Sequence, residues 1–150
     1  MTLSLDPIDE ELIRQLQRDG RRPYTQLAKE VGLSEAAVRQ RVQRLLESGV
    51  MQVVAVTDPL SLGLARQAMV GIRVQGDARA VADRLSELDE VVYVVLTAGP
   101  VDLLAEVVAA GDDDLLRVLN DAIRSIPGVT YTETSIYLSL RKQTYQWGTR

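Results

Sequence analysis

The chain contains neither cysteine nor histidine. The first absence excludes disulfides and thiolate nucleophiles, the second excludes imidazole general bases, and together they remove the commonest zinc ligands. Most enzyme templates go with them, so no catalytic residue, metal site or cofactor is expected. Long apolar runs are missing as well. No stretch approaches the length of about 18 apolar residues that a membrane-spanning helix needs, and Met1 to Pro7 lacks the basic segment and apolar stretch of a secretory leader. The expected location is cytoplasmic, with no membrane partner. What the 150 residues do offer is 46% hydrophobic and 25% charged content, the balance of a folded globular protein and too apolar for general disorder.

A net charge of −4 argues against a nucleic-acid partner only if it is evenly spread, because a contact surface is local. It is not evenly spread. Residues 1–57 carry eight Lys/Arg and eight Asp/Glu, whereas residues 58–150 carry nine against thirteen. Within the first stretch Arg39, Arg41 and Arg44 fall on one predicted helix, and Arg21, Arg22 and Lys29 lie just before it. Asp9, Glu10 and Glu11 are confined to the first helix.

Asp6-Pro7 opens that first helix, an N-cap followed by a proline whose missing N–H costs nothing at the first helical position. Ile8, Leu12, Ile13 and Leu16 give it one apolar face, and Asp19-Gly20 ends it near Arg18. Tyr24 to Val31 forms a second, two-turn helix with Leu27, Ala28 and Val31 inward and Gly32 as its stop. Ser34 caps a third, with Val38, Val42, Leu45 and Leu46 inward and Glu47-Ser48-Gly49 closing it. Two short helices joined by Gly32-Leu33-Ser34 have the spacing of a helix-turn-helix. The alternation over Val50 to Val56 predicts a short strand, a wing or clasp, and Asp58-Pro59 begins a linker. The expected organisation is a DNA-binding domain over 1–57, a linker over 58–67, and a second domain over 68–150.

In that second domain the pattern predicts strands over 68–74, 91–97, 101–109 and 129–140, and helices over 78–88 and 112–126, with Leu115, Leu116 and Leu119 in the core. The order strand-helix-strand-strand-helix-strand is the ferredoxin-like βαββαβ unit, so the whole is an α+β chain with an N-terminal three-helix, winged helix-turn-helix. Both helices cover one face of such a sheet and leave the other in need of a partner.

A recognition helix packs its inward face and reads DNA with the rest. Setting aside the inward residues leaves Glu35, Ala36, Arg39, Gln40 and Gln43. Arg39 matches a guanine edge, and Gln40 or Gln43 an adenine. Ser34 at the helix start suits a phosphate, with Arg21, Arg22, Arg41 or Arg44 neutralising others. Asp112-Asp113-Asp114 reads as acids favoured by a helix dipole rather than as a metal cluster, and Tyr145 and Trp147 as packing residues against a neighbouring subunit.

The runs from Asp9 to Arg21, from Leu27 to Ser34 and from Val38 to Leu45 together resemble the DNA-binding segment of the Lrp/AsnC family. Gly99-Pro100-Val101-Asp102 and Thr132 to Tyr137 resemble that family's sensor domain, and the resemblance covers nearly the whole chain. It implies a transcription regulator that binds double-stranded DNA as a homodimer, assembles into tetramers or octamers, and takes an amino acid or related small effector where dimers meet. The effector residues it implies are Leu96, Gly99 and Asp102, with Thr132, Thr134 and Ile136 facing them from the last strand. Chemistry agrees in part. An unpaired aspartate beside a glycine turn accepts an ammonium group, and the three strand residues share a face. Val101 stands where the family often has an aromatic residue, Pro100 removes one turn N–H, and Pro23 replaces a serine-type cap. The rival readings are an architectural DNA-compacting protein and a dimeric ferredoxin-like enzyme. The second has only Asp102 and Glu106 as a pair of carboxylates on one strand face.

Overall fold

The computed structural model describes residues 4–144. The chain divides into two compact units, one of residues up to Val56 together with Lys142 to Thr144, the other of Thr57–Arg141.

The first unit holds three helices: α1 (Pro7–Arg18), α2 (Tyr24–Val31) and α3 (Glu35–Glu47). Each boundary has a local cause. Asp6 accepts from the Asp9 N–H at 2.8 Å while Asp9 accepts from the Asp6 N–H at 3.3 Å, a reciprocal capping box. Pro23 precedes α2 in extended conformation and gives it no side-chain cap. Gly32 ends α2 at φ +69°, a left-handed conformation that glycine adopts without a Cβ penalty, and Ser34 caps α3 by accepting from the Ala37 N–H at 3.2 Å. Leu12, Leu16, Leu27, Ala28, Val38 and Val42 form the core, with Ile8, Tyr24, Val31, Leu33 and Met51 against it.

Two expectations fail here. Leu46 is 38% exposed rather than inward, because the buried stripe of α3 runs through Val38, Val42 and Leu45, and Leu46 sits about 100° further round the helix. The segment from Val50 to Val56 forms no strand. Met51 ties it to the unit through its N–H to the Leu45 carbonyl at 3.3 Å, but no described strand pairs with the valines beyond, and Val53, Val54 and Val56 remain exposed. A lone alternating segment has no ladder to join.

The second unit is a four-stranded antiparallel sheet in the order β2-β3-β1-β4, from β1 (Arg66–Val74), β2 (Val91–Leu96), β3 (Leu103–Ala109) and β4 (Val129–Ile136). One face takes α4 (Ala78–Ser86) and α5 (Asp112–Arg117), which widens into a π-helical turn over Val118–Ile123. Ala68, Val70 and Ile72 of β1 and Leu103, Ala105 and Val107 of β3 meet Val81, Leu85, Leu115, Val118 and Ile123 there. Leu116, expected in this core, is 56% exposed, again one helical step off the buried stripe. Gly128, at φ +99°, turns the chain into β4 where a Cβ would stand 3.2 Å from the Gln75 carbonyl oxygen. The opposite face carries Met69, Gly71, Tyr93, Val95, Leu104, Glu106, Val108, Glu133 and Tyr137 by strand alternation and register. No helix of the described residues is long and apolar enough to cross a membrane.

A candidate nucleic-acid interface and effector site

Helix α3 is held to α1 by a charge cluster. The Asp9 side chain, 1% exposed, accepts from Arg41 at 2.8 Å and from Arg44 at 2.6 Å, and Arg41 also reaches Asp6 at 2.7 Å. Two carboxylates and two guanidiniums balance within it. The Asp9 N–H and the Arg41 guanidinium hold the Asp6 carboxyl below the usual carboxylate range, and Asp6 and Asp9 push Arg41 further up. Sequence reasoning treated Arg41 and Arg44 as phosphate neutralisers; the structure gives both an internal partner, and leaves Arg44 about half exposed. The signal was present in the spacing: acids three apart at the start of α1 and arginines three apart on α3 each lie on one helical face.

The outward surface of α3 is a row of Ala36, Arg39, Gln40, Gln43, Arg44 and Glu47, which line one shallow depression. Glu35 accepts from Arg39 at 2.9 Å and Glu47 from Gln43 at 2.8 Å, while Gln40 is exposed. Arg39 lies over the Tyr24 ring, 5.0 Å from its centroid. Ser34 spends a lone pair on its cap and keeps its hydroxyl proton for another acceptor. Arg21 is exposed, but Arg22 is drawn into a network with Gln15 and Glu30 and is 24% exposed.

In the sheet unit the expected effector residues separate. Leu96 pairs with Leu103, Leu103 with Ile72, and Ile72 with Thr132. Leu96 and Thr132 are therefore on opposite edge strands with two strands between them, about 14 Å apart by strand spacing. Thr132, Thr134 and Ile136 do share a face, as alternation requires, but within one chain they do not face Leu96. Thr132 accepts from Arg124 Nε at 2.8 Å beside a groove lined by Arg124, Thr130 and Tyr131, and the Thr134 hydroxyl is buried with no hydrogen-bond partner. Asp102 is not unpaired: its Oδ2 accepts from the Val74 N–H at 2.7 Å, where the β1–β4 register shifts. Gly99 is exposed. The loop between β2 and β3 is tied by Thr97 donating to the Val101 carbonyl at 2.7 Å, and by Arg73, stacked on Tyr131, donating to the Pro100 carbonyl at 2.9 Å. Glu106 is engaged by Tyr137, whose hydroxyl is pushed up by burial and by that carboxylate. Of the acids at the start of α5, Asp112 pairs with Arg66 at 2.5 Å, and Asp114 accepts from the Ala110 N–H at 3.0 Å and from Arg117. Tyr145 and Trp147 lie outside the described residues.

Residues 5–46 match the family model of the AsnC-type helix-turn-helix domain, and residues 67–147 match that of the Lrp/AsnC ligand binding domain. The chain belongs to the Lrp/AsnC family. It is 36% identical over 146 residues to the HTH-type transcriptional regulator FL11 of Pyrococcus horikoshii, covering 96% of each chain. Among solved structures of the family it is similar to the leucine response regulatory protein LrpA of Mycobacterium tuberculosis, with 32% identity, a TM-score of 0.86, and coverage of 95% of this chain and 98% of that one. It is also similar to a transcriptional regulator of Neisseria meningitidis in complex with L-Met, with 25% identity, a TM-score of 0.84 and 95% of each chain covered. As in the Lrp/AsnC relatives, a helix-turn-helix DNA-binding unit is joined to a ligand-binding one, and the chain is a helix-turn-helix transcriptional regulator.

Proposed function

We propose that α3 enters the major groove and reads base edges through Arg39, Gln40 and Gln43, with Glu35 and Ala36 beside them and Ser34, Arg21, Arg22 and Arg44 toward phosphates. The observation that carries this reading is the contiguous exposed row on α3, mounted on a helix that a core and an ion cluster around the buried Asp9 fix in place. A side chain held on a rigid element loses less freedom on binding and discriminates better.

The effector is an amino acid, a reading supported by the N. meningitidis relative's complex with L-Met. The free oxygen of Asp102 accepts its ammonium group, and Leu96 and Gly99 from one copy meet Thr132, Thr134 and Ile136 from another. Two halves on opposite edges of one sheet favour a site completed between copies. The open sheet face, with Leu104, Val108 and Tyr93 upon it, is covered by a second copy to form the dimer, and dimers associate further. The protein acts in the cytoplasm as a regulator and not as an enzyme. Coupling follows if the effector binds one assembly state more tightly than another.

The test is a gel-shift and size-exclusion series on the protein with its own upstream DNA, at fixed salt, against a panel of twenty amino acids. Sequence-selective shifts that change with one amino acid are expected. Binding indifferent to sequence and to every amino acid overturns the reading in favour of DNA compaction. A Leu104→Arg variant is expected to elute as a monomer, and an unchanged elution volume removes the open face as the dimer contact.

A further inference from the structure

Tyr24, the first residue of α2, carries no part of the reading above. Its ring packs against the helical core, and the guanidinium of Arg39, from the next helix, lies over it 5.0 Å from its centroid. Glu35 holds the same guanidinium at one corner, accepting from Nη2 at 2.9 Å. The long, exposed side chain of Arg39 is thus held over a ring that is itself anchored. The attraction to the ring uses the charge of the guanidinium and none of its N–H donors, and among the described residues the Nε and Nη1 of Arg39 have no acceptor. Among the described residues, the other arginine-over-tyrosine pair is different. Arg73 sits 5.1 Å from the Tyr131 centroid but spends its Nε on the Pro100 carbonyl and so joins two parts of the fold. Of these two pairs, the Tyr24 platform leaves those donors free, and it does so on the exposed face of α3.

We propose that Tyr24 is a positioning residue for base reading: it presents the Arg39 guanidinium edge-on to the major groove and so sets the preference at the base pair Arg39 meets. This rests on the assignment of α3 as the recognition helix. The two-acceptor edge of guanine matches a fixed pair of donors, whereas a wrong base leaves them unpaired. Freezing the side chain in advance therefore acts on discrimination. Attraction to the phosphates depends on the charge of Arg39, which Tyr24 does not alter.

The experiment selects a duplex from a randomised pool with the wild-type protein. It then measures affinity at several salt concentrations for that duplex and for a scrambled duplex of equal length. Tyr24→Phe keeps the ring and is expected to keep the ratio of the two affinities. Tyr24→Leu keeps an apolar side chain without the ring. It is expected to lower the ratio by about two- to fivefold while leaving the scrambled-duplex affinity and its salt slope unchanged. Reselection with Tyr24→Leu is expected to relax the base pair that Arg39→Gln relaxes, and the double variant to be no worse than Arg39→Gln alone. Arg39→Lys, which keeps the charge and loses the planar fork, serves as a second probe if Tyr24→Leu melts early; it is expected to lose preference at the same base pair. An unchanged ratio in Tyr24→Leu or Arg39→Lys, tighter binding by Tyr24→Leu, or an equal loss on both duplexes overturns the inference while leaving the function standing. If Arg39→Gln itself leaves the ratio unchanged, or no duplex is selected, the assignment of α3 falls and takes the inference with it.

Discussion

The helical unit and the sheet unit use charge in opposite ways. In the helical unit a carboxylate sits inside, 1% exposed, and two arginines of α3 converge on it. In the sheet unit the core is wholly apolar, and the pairs Arg66–Asp112, Arg117–Glu90 and Arg117–Asp114 lie at its surface. The contrast follows from size. A sheet covered by two helices buries enough apolar area to hold itself together, whereas three short helices surround a small core. The Asp9 cluster then supplies direction, holding α3 against α1 by atoms that accept few other geometries. It also makes that unit the more sensitive to single changes.

The largest effects are expected from core truncation, where Leu12→Ala and Ile72→Ala each cost about 2–5 kcal/mol. The loss is expected to unfold the helical unit and abolish DNA binding in Leu12→Ala, while Ile72→Ala leaves a weakened but folded sheet unit, both read by two-dimensional NMR and chemical denaturation. The reverse outcome breaks the comparison. Next comes Arg41→Met, which leaves the buried Asp9 with Arg44 alone. It is expected to cost about 1–2 kcal/mol, the remaining Arg44 partner keeping it below the cost of an unpaired buried charge, seen as a lower denaturation midpoint of the helical signal with the sheet signal unmoved.

Acid sharpens the contrast further. The folded-state pKa of Asp6 lies below its unfolded value, lowered by the Asp9 N–H and by Arg41. Its contribution is therefore complete above about pH 4 and is lost as pH falls through the lowered value. Glu90, Asp112 and Asp114 shift the same way, chiefly through Arg117, Arg66 and the Ala110 N–H respectively, so both units lose stability on the acid side. Asp6→Asn is expected to flatten the acid limb of the helical unit alone, measured as its unfolding midpoint between pH 5 and pH 2. The smallest effect is assigned to Arg66→Ala, less than about 1 kcal/mol and vanishing in high salt. A larger loss makes that surface pair structural after all.

What the sequence disclosed follows the same divide between local and distant causes. The ends of α1, α2 and α3 were legible because Asp6-Pro7, Gly32 and Ser34 act on their own neighbours in the chain. The order of the second unit's elements was legible from period alone. Leu46 and Leu116 were misplaced because an apolar residue beside a buried stripe looks like part of it until the helix is packed. Val50 to Val56 has a strand's alternation, but a strand is made by its partner, which lies outside the pattern. The family resemblance sets Thr132 opposite Leu96 where dimers meet, and the strand order, with β3 and β1 between them in one chain, is a distant feature that no local pattern carries. Asp102 looked free because its partner, the Val74 N–H, is 28 residues away along the chain.

That strand order bears on how binding is counted. With Leu96 on one edge of the sheet and Thr132 on the other, the effector site proposed above makes each copy half of two sites and the whole of none. A closed assembly then holds one effector per copy, while an isolated copy holds none. Saturation accordingly depends on protein concentration as well as on effector concentration, and dilution alone releases the ligand.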